Sequence, residues 1–93
     1  PLDKRSAGSL FKNPKNNSAG KLIDEAGLKG FTIGDAKISD KHANFFINDG
    51  DASSEDMLNL IKKAHSKVKE KFSIDLELEV KLMGFEEHQL KGL

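Results

Sequence analysis

The stretch SSEDMLNLIKKAHSKVKEKFSIDLELEVKL, residues 53–82, carries two periodicities in succession. Met57, Leu58, Ile61, Ala64, His65, Val68 and Phe72 recur at the three- and four-residue spacing of one helical face. From Ile74 onward the period is two. Ile74, Leu76, Leu78, Val80 and Leu82 take one side, and Asp75, Glu77, Glu79 and Lys81 the other. The direct reading is a long amphipathic helix over 53–71, covered by the apolar side of a strand over 74–83. Ser53 with Asp56 three positions on is a capping-box pattern, and Lys69 and Lys71 suit the negative end of the helix dipole. Lys62, Lys63, Lys67 and Lys69 read as a solvated outer face, and His65 as a packed core histidine.

Upstream the elements are shorter. Leu10-Phe11 is an apolar centre bounded by Gly8 and Asn13-Pro14; Pro14 removes a donor, so a strand here is short or at an edge. Ser18 is placed to cap a short helix carrying Leu22, Ile23 and Ala26, which Gly27 stops. Gly27, Gly30 and Gly34 suit turns around a short extended piece, and Asn44-Phe45-Phe46-Ile47-Asn48 reads as a strand closed by Asp49-Gly50. The order strand, helix, strand, helix, strand predicts an α+β fold. Its expected form is a two-layer single domain over 1–93, with a small mostly antiparallel or mixed sheet packed on one long and one short helix.

Composition narrows the function classes. The chain has 93 residues, 37% hydrophobic and 32% charged, as suits a small globular domain. Fifteen basic residues balance fifteen acidic ones, so charge makes no case for nucleic acid or an anionic membrane as main partner. Six Phe with no Trp or Tyr supply little stacking surface for RNA. No cysteine is present, and His42, His65 and His88 lack metal-ligand spacing, so no metal site is expected. Gly20-Lys21 is not a phosphate loop, because Lys15 stands where its first glycine belongs and Leu22 where Ser or Thr belongs. The helix start near Ala19 reads either as an ordinary amphipathic helix or as free amides able to meet a pyrophosphate. The chain begins at Pro1 without an initiator methionine and is expected to be a piece of something longer.

Five segments in order then become informative: Gly-Ser-Leu-Phe-Lys-Asn-Pro at 8–14, Ala-Gly-Lys-Leu-Ile-Asp at 19–24, Gly-Leu-Lys-Gly at 27–30, His-Ala-Asn-Phe-Phe-Ile-Asn at 42–48, and Leu-Glu-Leu-Glu-Val-Lys-Leu-Met-Gly at 76–84. The series resembles the C-terminal domain of the UDP-N-acetylenolpyruvylglucosamine reductase (MurB) family, over about Ser6 to Gly84. The resemblance implies a substrate-binding domain of a bacterial, cytoplasmic enzyme of peptidoglycan synthesis. In that family NADPH reduces FAD, and hydride passes to the enolpyruvyl ether of UDP-N-acetylglucosamine, giving UDP-N-acetylmuramate.

It further implies that Ser9 is the proton donor and Glu79 the second catalytic residue. Taken alone, Ser9 is also a plausible turn serine, and periodicity puts Glu77 and Glu79 on one face without choosing between them. Asn13, from the family's Lys-Asn-Pro, and His42, where some relatives carry a nucleotide-contacting glutamine, are the implied substrate-binding residues. Asn17 stands where some relatives carry a lysine that contacts substrate. The resemblance also implies that the flavin is bound mainly by preceding domains, and nothing here resembles a dinucleotide fingerprint. The alternative is a stand-alone α+β interaction or RNA-binding module without catalysis.

Overall fold

A computed structural model describes residues 10–78. In order along the chain stand α1 (Ala19–Glu25), β1 (Thr32–Ile33), β2 (Ala36–Ile38), β3 (Phe46–Asn48) and α2 (Ser54–Phe72). The strands form an antiparallel sheet in the order β1-β2-β3, with Ile33 opposite Ala36 and Ile38 opposite Phe46. α2 packs on β1, β2 and α1. This is the expected α+β arrangement of a small sheet on one long and one short helix.

The helix ends follow the sequence closely. Ser53 Oγ accepts from the Asp56 amide at 2.9 Å, and the Asp56 carboxylate accepts from the Ser53 amide at 3.3 Å, completing the capping box of α2. Ser18 Oγ accepts from the Lys21 amide at the start of α1. At the other end Gly27, with φ +83°, donates to Asp24 O while Leu28 donates to Ile23 O. Those two bonds make a Schellman stop, and the buried pair Leu28 and Ile23 supplies its usual apolar contact.

The apolar stripe of α2 is buried as its spacing requires: Met57, Ile61, Ala64 and Val68 are inaccessible to solvent. Leu60, outside the stripe as read from sequence, is equally buried, because the helix is covered on a broader arc by the sheet and α1 together. The outer lysines are less idle than expected. Lys63 lies over the Phe31 ring at 5.6 Å, Lys67 pairs with Glu70 at 3.6 Å, and Lys69 bonds Asp75 at 2.7 Å. Only Lys62 of the four has no such contact among the described residues.

The glycine-rich middle makes two strands where one extended piece was expected. β1 and β2 turn through Gly34-Asp35, with Gly34 at φ +57°. β2 escapes sequence reading because it is three residues long with a half-buried lysine at its centre. A Cβ at Gly34 would stand 2.5 Å from Asp56 Oδ2, an atom committed to the capping box. Gly34→Ala is therefore expected to cost about 1–3 kcal/mol, from left-handed strain and a disturbed cap together. Thermal unfolding of the purified chain measures it, and an unchanged midpoint would contradict this account of the turn.

The strand expected over 74–83 falls within the described residues only through Leu78. Residues 74–78 alternate as expected, with Leu76 buried and Asp75 and Glu77 exposed, but the pairing found there is a single antiparallel bridge, Phe11 to Leu78.

Candidate functional site

The segment Leu10-Phe11-Lys12 lies between two partners. On one side the Lys12 amide donates to Glu77 O at 2.7 Å, beside the Phe11–Leu78 bridge. On the other side the Leu10 amide donates to Asn44 O at 2.9 Å. The Asn44 side chain then pairs with Phe11 itself: Oδ1 accepts from the Phe11 amide at 2.9 Å, and Nδ2 donates to the Phe11 carbonyl at 2.8 Å. A primary amide offers one donor and one acceptor in the spacing of a peptide group, so Asn44 acts here as a one-residue strand partner. Leu10 and Phe11 are buried, and the Phe11 ring meets Phe46 edge to face at 6.1 Å.

Beside this segment opens a cleft of about 420 Å³ between the start of α1 and the β2–β3 connection. Asn13 and His42, distant in sequence, both line it, with Lys21, Lys29 and Lys41 set against Asp24. The connection is shaped by Ser39, whose Oγ accepts from the amides of Lys41 and His42. His42 leans on Phe45 with ring centroids 5.5 Å apart. Lys29 pairs with Asp24 at 3.7 Å and Lys21 with Glu25 at 3.9 Å, whereas Lys41 has no ion pair among the described residues. The wall of the cleft is thus basic, polar and open, a surface suited to an anionic or hydroxyl-bearing ligand.

Asn13 has a structural duty as well. Its Oδ1 accepts from the Ala19 amide at 2.9 Å, so the Lys-Asn-Pro segment caps α1 together with Ser18. Two amides at the helix start, Ala19 and Lys21, are consequently already paired, which removes them as binders of a pyrophosphate. Ser9 and Glu79 lie outside the described residues. Their chain neighbours are placed: Leu10 is buried against Asn44, and Leu78 is bridged to Phe11. Glu77, which alternation alone does not separate from Glu79, has its side chain 3.9 Å from Lys12 Nζ and lines a second, smaller cleft of about 320 Å³.

At the far end of α2, buried His65 sits 3.7 Å from Asp75 Oδ1. Hydrogen bonding from Lys69 holds the Asp75 carboxyl below its ordinary value; desolvation opposes this, and the charges of Lys69 and His65 add to it. Among the described residues no group of His, Asp and Glu has the arrangement of a metal site, and no helix is long and apolar enough to cross a membrane.

The residue that sequence reading missed is Asn44, which was counted within a strand. Its signal was an amide placed between Ala43 and Phe45-Phe46, where a buried polar group needs partners.

Fold and cleft together define the class: a small antiparallel α+β domain with a basic cleft beside two paired outlying segments. The profile of the family described as UDP-N-acetylenolpyruvoylglucosamine reductase, C-terminal domain, matches residues 1–83, and the chain belongs to that family. A UDP-N-acetylenolpyruvoylglucosamine reductase of Caldanaerobacter subterraneus subsp. tengcongensis is 55% identical over 84 residues, covering 90% of this chain and 28% of the relative. One of Caldicellulosiruptor bescii is 58% identical over 84 residues, covering 90% and 27%. The crystal structure of UDP-N-acetylenolpyruvylglucosamine reductase (MurB) from Thermus caldophilus superposes with a TM-score of 0.67 at 47% identity, covering 85% of this chain and 28% of that one. The chain thus spans little more than a quarter of the length of the relatives it matches.

Proposed function

We propose that this chain is the substrate-binding, C-terminal domain of a bacterial, cytoplasmic flavin-dependent reductase. The reductase converts UDP-N-acetylglucosamine enolpyruvate to UDP-N-acetylmuramate with NADPH, a step in making peptidoglycan precursors. Ser9 is the proton donor, Glu79 the carboxylate that supports it, and Asn13 and His42 contact the nucleotide sugar. The observation that carries the reading is the antiparallel bridge between Phe11 and Leu78. It ties together two segments distant in sequence, one following Ser9 by two positions and one directly preceding Glu79. The basic cleft shared by Asn13 and His42 lies beside it and suits an acidic nucleotide sugar.

The chemistry asks for those residue types. Addition across an enolpyruvyl double bond places hydride on the methylene carbon and a proton on the neighbouring carbon, while the carboxylate takes up developing charge. The proton source must stand within hydrogen-bond reach of that carbon. A serine hydroxyl is a very weak acid and needs its proton replaced as it leaves, through a polarised neighbour or water; in this reading a water returns the proton and Glu79 helps to polarise that network. When bound, FAD supplies the hydride. In this reading the flavin is bound mainly by the preceding domains of the same protein.

A transplant tests the assignment. The corresponding segment of the Thermus caldophilus enzyme is replaced by this chain, and NADPH oxidation dependent on the enolpyruvyl substrate is measured. The chimera is expected to turn over, while the isolated chain is expected to be colourless and inactive. A chimera that holds FAD and is reduced by NADPH, yet does not respond to substrate, would overturn the reading.

A further inference from the structure

Asn44 is one of three buried polar side chains among the described residues, 9% exposed. Its two side-chain bonds to Phe11, at 2.9 and 2.8 Å, and its main-chain bond to Leu10, at 2.9 Å, fall on the two residues that directly follow Ser9. From the opposite side that segment is held by the Lys12–Glu77 bond and the bridge to Leu78. Without Asn44 the Phe11 amide and carbonyl would be left buried and unpaired along one edge, so the segment would have to shift or admit water. With one donor and one acceptor of its amide spent on Phe11, Asn44 orients that strand even though it also borders the cleft.

We propose that Asn44 is a positioning residue for proton transfer, fixing Leu10 and Phe11, the two residues that directly follow Ser9. The inference rests on the reading of Ser9 as proton donor. Proton transfer requires contact within about 2.6–3.2 Å, and a misplacement of about 1 Å lowers a rate by about 10²-fold. A residue that fixes the donor's segment therefore affects one half of the reaction only.

The test uses the full-length reductase carrying this chain and stopped-flow absorbance of its flavin. Asn44→Ala is expected to slow reoxidation by the enolpyruvyl substrate about 10- to 10²-fold and to leave reduction by NADPH unchanged. In a Ser9→Ala background the same substitution is expected to add less than about twofold, because the donor it positions is gone. Ile61→Val, a core change remote from Ser9 in sequence, is the stability control and is expected to alter neither half. Should Asn44→Ala not fold, Asn44→Asp replaces it: the side chain keeps its shape and the acceptor for the Phe11 amide, but sets a carboxylate oxygen against the Phe11 carbonyl. Reoxidation at the wild-type rate, or an equal slowing with and without Ser9, would overturn the inference while leaving the assignment of Ser9 intact. A wild-type rate in Ser9→Ala alone would instead remove the assignment of Ser9, and the role of Asn44 with it.

Discussion

Ile61→Ala is expected to destabilise the chain by about 2–5 kcal/mol, the range for deleting a buried aliphatic side chain and leaving a cavity. Ile61 is inaccessible to solvent, on the face of α2 that meets the sheet and α1. Because β1, β2 and α1 all pack on this helix, the surroundings have little freedom to collapse into the space. Two lysines nearby calibrate the result. Lys62→Ala, fully outside the packed arc, is expected within about 0.5 kcal/mol of the parent. Lys63→Ala removes the cation from the Phe31 ring and is expected to cost about 0.5–1 kcal/mol. Urea unfolding of the three variants gives the order directly. Equal losses for Ile61 and Lys62 would mean that the helical face has been misassigned.

What the sequence revealed depended on how local the determining interaction is. α2 was legible to within one residue because its cap, its apolar period and its last-turn lysines lie within a single stretch and agree with one another. The stop of α1 at Gly27 was legible for the same reason. The sheet was less so: β1 and β2 together span only Thr32 to Ile38, too short for a period-two pattern to emerge, and their pairing depends on the Gly34 turn. Asn44 was only half legible: its apolar neighbours signal an amide in need of partners, but its partner, Phe11, is 33 positions away and has no local mark.

The candidate site divides along the same line. Asn13 and His42 carry no joint signal in sequence, yet the fold brings them to one cleft. The Lys12–Glu77 pair gives Glu77 a partner that alternation alone does not reveal. On a helical projection the lysines of α2 are interchangeable; Lys63 and Lys69 separate from Lys62 only once Phe31 and Asp75 are in place.

Under the proposed function, Ser9→Ala in a full-length reductase carrying this chain is expected to have the largest effect of all. Reduction of the flavin by NADPH moves no substrate proton and should proceed nearly as in the parent. Reoxidation by the enolpyruvyl substrate requires a proton on the carbon next to the one that takes hydride, and losing a positioned donor slows such a step by about 10²–10⁴-fold. On the proposed reading Glu79→Gln should impair the same half-reaction, since it removes the group assigned there to polarise the donor. Glu77→Gln should do much less, since its side chain faces Lys12. The direct measurement is stopped-flow flavin absorbance for Ser9→Ala, with the reductive and oxidative halves recorded separately. A normal reductive half with an oxidative half slowed about 10²-fold or more is the result expected if this chain supplies the proton; reoxidation at the parent rate would contradict that claim.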